Sequence, residues 1–298
     1  MAGPAGASSR QPLALGAALL GIAVYSLMDT LMKRLSIESG AYAAVLWRSA
    51  VGVALTGSVF VARRRPWPAG PALRLHLVRG LAAGSSVLLF FWGMARVPMA
   101  QSVAITFLAP LIAIFLAAAT LGERVRRAAV TGSAVAALGV LVIAGGEVQA
   151  AASTQTVLGT VAIFVASILY AASLVLLRRQ AQAADPLEVT LLTSLVVGVA
   201  MLPAAPWAAG WPATAQWPAI GGAAVLGTVS ALLIAWAYAR AEAQVLAPAE
   251  YTAFVWAALF GWAAFGERVS GWTVAGALLI GAGCATAVRG RPVTEAAA

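Results

Sequence analysis

Three ionisable residues, Asp29, Arg48 and Glu250, sit inside long apolar runs. If those runs lie in lipid, an unpaired charge several residues inside costs roughly 3 kcal/mol or more, so each must be paired or must serve binding. Asp29 and Arg48 have two readings. They form a scaffold pair, with Lys33 one turn on as an alternative mate for Asp29, or they hold a substrate or an ion. Glu250 follows Pro248, whose ring removes a backbone hydrogen bond and frees a carbonyl near the carboxylate. It suits a proton site, a partner for a substrate amino group, or an interfacial acid paired with Arg240 or Arg178.

Aromatic and amide side chains complete the candidate binding set. Tyr25, Trp92, Tyr170, Trp236 and Tyr251 are candidate cavity walls, and Gln101 with its neighbour Ser102 offers hydrogen bonds to an amino or carboxylate group. Trp92 and Trp236, each four residues before an arginine, suit an interfacial aromatic belt as well. Arg74, His76 and Arg79 open the third apolar run beside a basic loop, and snorkelling to the interface accounts for all three. Glu123 and Glu267 are expected near the N-termini of the helices that follow them, where the macrodipole favours negative charge.

Several chemistries are excluded. The single histidine, His76, and the single cysteine, Cys284, cannot build a metal centre or an intramolecular disulfide. No His-Glu-x-x-His, Gly-x-Ser-x-Gly or Walker A pattern occurs, so an enzyme, a cofactor and ATP use are not expected.

The elements that position these residues follow from composition. The chain is 62% hydrophobic and 10% charged, with mean hydropathy +0.91, against about 45–50% apolar and about 25% charged in soluble domains. Its main solvent is lipid. Apolar runs predict an all-α integral membrane protein with about ten transmembrane helices near 11–35, 41–63, 72–95, 99–120, 127–145, 157–179, 186–205, 216–239, 245–265 and 271–288. Pro110 interrupts the fourth and Pro248 the ninth, which makes them candidate hinges. Residues 1–10 lack the short apolar core and cleavage site of a secretory signal and are expected to be retained.

A net charge of +9 does not point to nucleic acid, because the basic residues fall in short interhelical clusters. With the N-terminus inside, 13 of the 19 Lys and Arg residues fall on the cytoplasmic side and only Lys33, Arg34, Arg96 and Arg268 outside. The positive-inside rule therefore predicts both termini in the cytoplasm.

The chain also repeats itself. Trp92-Gly-Met-Ala-Arg96 is matched 144 positions on by Trp236-Ala-Tyr-Ala-Arg240, and Gly122-Glu-Arg-Val125 by Gly266-Glu-Arg-Val269 at the same offset. Tyr25 precedes Lys33-Arg34 as Tyr170 precedes Arg178-Arg179. Residues 1–150 and 151–298 thus read as two five-helix repeats, and five being odd, the second is inverted. Asp29 and Arg48 break the symmetry, since they align with Leu174 and Leu192. Gly132, Gly139, Gly276 and Gly283 offer small faces on the fifth and tenth helices, for packing within a monomer or in a homodimer.

Ten helices in a five-plus-five repeat, with Gly-Glu-Arg after the fourth and ninth, resemble the EamA-type drug/metabolite transporter superfamily. Among its bacterial branches the chain is most similar to amino acid exporters of the YddG kind. The resemblance implies a secondary transporter of the bacterial cytoplasmic membrane, exporting aromatic and other hydrophobic amino acids or a related small molecule. It also implies that helices one to four and six to nine surround a central cavity, with five and ten peripheral.

Overall fold

The computed structural model describes residues 11–64, 67–68, 70–121, 125, 127–149, 153–180, 185–238, 240, 246 and 249–288. Among them the regular structure is helical, as lipid demands of a chain whose backbone must satisfy itself within each segment. The helices are α1 Gln11–Ser39, α2 Ala41–Ala62, α3 Pro71–Met94, α4 in two segments (Met99–Thr106 and Ala109–Leu121), α5 Arg127–Gln149, α6 Thr154–Gln180, α7 Pro186–Met201, α8 Trp217–Tyr238, α9 Thr252–Phe265 and α10 Gly271–Val288. Eight spans are long and apolar enough to cross a membrane, and Thr252–Phe265 and Gly271–Thr286 are shorter apolar helices.

Local chemistry sets the ends. Gly40, at φ 84°, breaks α1 from α2, and Gly266, at φ 66°, ends α9 in the left-handed conformation that lets its N–H return to Trp262 O at 2.9 Å. Asp185 caps α7 by accepting from Leu187 N–H at 2.9 Å, with Pro186 in the first turn. Pro110 lacks the N–H that would continue the ladder, and α4 breaks just before it. Phe107 and Leu108 tighten to three-residue bonds onto Ala104 O and Ile105 O.

Two expected spans are interrupted within their apolar runs. α7 stops at Met201, and Pro203 and Pro206 fall in two short turns, Leu202–Ala204 and Ala205–Ala208. In the ninth, Leu246, Ala249 and Glu250 are helical, Tyr251 is a turn, and the segment labelled α9 runs from Thr252. Pro248 lies outside the described residues.

The packing partners have a regular pattern. α1 packs on α8 as α6 packs on α3; α1 on α9 as α6 on α4; α2 on α8 as α7 on α3. α2–α7, α4–α9 and α5–α10 are pairs in which each helix faces its own counterpart five places on. Glycine makes the closest of these contacts. A Cβ at Gly139 would stand 2.6 Å from Gly276 O, and one at Gly276 would stand 2.5 Å from Gly139 O. Gly283 likewise abuts Gly132. The small faces of α5 and α10 therefore meet within the chain, and they are spent on that seam.

Candidate functional site

Tyr25 and Asp29 lie one turn apart on α1, and the other members of an ionisable cluster come from four further elements: Arg48 of α2, Arg79 of α3, Tyr170 of α6 and Glu250 just before α9. Tyr25 is within electrostatic reach of Asp29, Arg48 and Tyr170. Tyr170 is in turn within reach of Arg79 and Glu250. The two tyrosines, matched by the repeat, are thus within electrostatic reach of one another. Both are deep, yet 45% and 46% of their surfaces are exposed. Exposed tyrosine surface among ionisable groups offers polar contacts that a ligand could use.

Asp29 and Arg48 are poorly satisfied. Asp29 is only 4% exposed and its Oδ1 has no hydrogen-bond partner among the described residues. Arg48 is within electrostatic reach of Asp29, but its Nη1 donates to Met28 Sδ at 3.7 Å, a weak acceptor. The scaffold pair that the sequence offered is not closed. Lys33, the alternative mate, points elsewhere.

Lys33 instead forms a buried ion pair with Glu267 in the α9–α10 turn. Its Nζ also donates to Val97 O at 2.7 Å and stands 5.2 Å from the centre of the Phe265 ring. Glu267 Oε2 accepts from Met99 N–H at 2.8 Å, at the very start of α4. The carboxylate therefore does meet a helix N-terminus, but that of α4 rather than of α10, which follows it in sequence. Gly261 makes room for it, since a Cβ there would lie 2.7 Å from Oε2. One cation and one anion fasten α1, the α3–α4 turn and the α9–α10 turn together. Glu123, its repeat mate, lies outside the described residues.

The remaining candidates divide between helix ends and packing. Arg96 lies over the Trp92 ring at 3.6 Å and donates to Trp92 O at 2.7 Å; Arg240 lies over Trp236 at 4.2 Å and donates to Trp236 O at 3.2 Å. The repeated Trp-x-x-x-Arg thus builds the same helix-end cap in both halves, away from the tyrosine pair. Gln101 reaches Thr160 Oγ1 on α6 at 3.4 Å. Tyr251 packs edge-on to Phe107 at 5.4 Å beside the α4 break, where Cys284 Sγ donates to Phe107 O at 3.3 Å.

Snorkelling fails for His76 and Arg79. His76 is buried and its Nε2 meets Glu188 Oε1 at 2.9 Å, while Arg79 Nη1 donates to Thr193 Oγ1 at 2.8 Å. Both cross to α7 because Gly80 and Gly84 bring that helix close: a Cβ at either would lie 2.7 Å from Val196 or Val197. Arg79 is a member of the cluster that sequence reasoning missed. Its position, well inside the third run, was the available signal. A separate groove of about 150 Å³, walled by Leu35, Trp47, Trp211 and Gln216, carries no charged side chain and lies under the α7–α8 connection.

The EamA-like transporter family matches the chain twice, over residues 12–145 and 157–289. The pseudopaline exporter CntI of Pseudomonas aeruginosa, from strains UCBPP-PA14 and PAO1, is 26% identical over 273 residues, which cover 90% of this chain and 93% of the exporter. A solved crystal structure superposes with TM-score 0.59 at 22% identity, covering 94% of this chain and 96% of its own, which is a likeness of fold. With two family matches that together take in nearly all of its apolar length, the chain belongs to the EamA-like transporter family.

Proposed function

We propose that the chain is a secondary transporter that exports amino acids, aromatic and other hydrophobic ones among them, across the bacterial cytoplasmic membrane. The observation that carries this reading is the ionisable cluster. Tyr25 is within electrostatic reach of Asp29, Arg48 and Tyr170, and Tyr170 of Arg79 and Glu250. An acid, a base and an apolar ring in each half of the cluster suit a zwitterion with a hydrophobic side chain. Ten helices in two inverted halves, with both termini inside, are the architecture that fits. The reciprocal helix pairing and the two family matches support it.

In that orientation the Lys33–Glu267 pair closes the outer end. Export then requires the pair to part so that the site opens outward, and it re-forms once substrate has left. Exporting a different small metabolite is the second reading, favoured by the likeness to a pseudopaline exporter.

Counterflow in proteoliposomes tests both. Vesicles loaded with unlabelled amino acids should accumulate at least one labelled amino acid, saturably. If no amino acid exchanges, that specificity is wrong; if no small metabolite exchanges either, a channel or receptor scaffold replaces the transporter.

A further inference from the structure

We infer that Arg79, oriented by Thr193, is the seat for an oxyanion of the transported molecule, a carboxylate under the export reading above, on which this inference rests. α3 carries Arg79 eight residues past its first, Pro71, about 12 Å along the helix axis. Thr193 donates its own proton to Val189 O at 2.6 Å, so its oxygen is free to accept from Arg79 Nη1. That bond holds the guanidinium plane but leaves Nε buried without a partner.

The cations of this protein differ in what balances them. Lys33 has Glu267, and Arg48 has Asp29 within reach. Among the described residues, the group that Arg79 feels is the Tyr170 phenol, which is uncharged. Glu188, the carboxylate nearby on α7, is engaged by His76. A part-buried guanidinium whose Nε–H is buried and unused, with no ion pair among the described residues, is a poor resting arrangement. It is the arrangement expected of a fork that waits for a bidentate anion. Tyr170 offers that anion a further hydroxyl, and Asp29, beyond the tyrosine pair, is placed for a substrate ammonium.

Ligand-induced stabilisation of the purified protein tests this, with amino acids, their amides and inorganic phosphate as probes. Wild type should respond to acids at concentrations about tenfold or more below those needed for the amides. Arg79→Gln should erase the difference between acid and amide, and Arg79→Lys should restore part of it. The wild-type comparison needs no variant, and Thr193→Val, expected to weaken the acid preference severalfold, serves if Arg79→Gln does not fold. Stabilisation by phosphate alone keeps the oxyanion seat and overturns amino acid export. Equal response of wild type to acid and amide, no response to any oxyanion, or a preference unchanged in Arg79→Gln overturns the seat and leaves the export reading standing.

Discussion

One turn of α1 separates two buried charges in opposite circumstances. Lys33, 3% exposed, has a carboxylate, a backbone carbonyl and an aromatic face around it. Asp29, 4% exposed, has an oxygen with no hydrogen-bond partner and a guanidinium within reach but not in contact. Both residues bear the cost of leaving water, but only Lys33 recovers it within the protein. The saturated cluster fastens three segments together, and the unsaturated one is the group that the proposed function assigns to substrate. A transporter needs both kinds: a contact that holds one conformation shut and a site whose own groups do not cancel each other.

The largest expected effect comes from unfastening the first cluster. Lys33→Met or Glu267→Gln alone leaves a buried partner uncompensated and should destabilise by about 3–5 kcal/mol, whereas the double variant should recover most of the loss. Thermal melts of the detergent-purified single and double variants check this. Equal melting of all three would mean that the pair is not a fastening.

A control lies at the seam that touches neither cluster. Gly276→Ala puts a methyl group within 2.5 Å of Gly139 O and should cost about 1–3 kcal/mol of stability. Protein that remains folded should exchange substrate at the wild-type rate. A selective loss of exchange would give α10 a part in the transport cycle.

Asp29→Asn should sharpen the contrast most. Removing an unsatisfied buried charge should leave the melting temperature unchanged or raised, while counterflow falls about tenfold or more, roughly 1.4 kcal/mol. A fall in stability comparable with that of Glu267→Gln would place Asp29 in the scaffold.

The smallest effect is expected at the repeated helix caps. Arg96→Gln and Arg240→Gln each remove a cation from a tryptophan face and should each cost about 0.5–1 kcal/mol. Similar losses in the two variants would match the similar geometry of the two halves.

Much of this was legible before folding. α1, α2, α3, α5, α6, α8 and α10 begin and end within a few residues of their apolar runs, and α4 breaks beside the proline that marked it. Tyr25 and Tyr170, matched in sequence, lie within electrostatic reach of one another. Partner choice was less legible. Asp29 was offered Lys33 at the favourable one-turn spacing, but Lys33 took Glu267, 234 residues away. The pairing of Gly80 and Gly84 with α7 turned Arg79 and His76 inward from what looked like an interfacial position.

By itself the sequence determined that this chain lives in lipid, where its helices lie, and that its two halves repeat. Those are properties of composition, local hydropathy and internal alignment, each carried by residues close together or in register. The tertiary structure alone decided which charges are satisfied and which are left waiting. That depends on which distant segment packs within about 3 Å of each side chain, a distance that no spacing along the chain specifies.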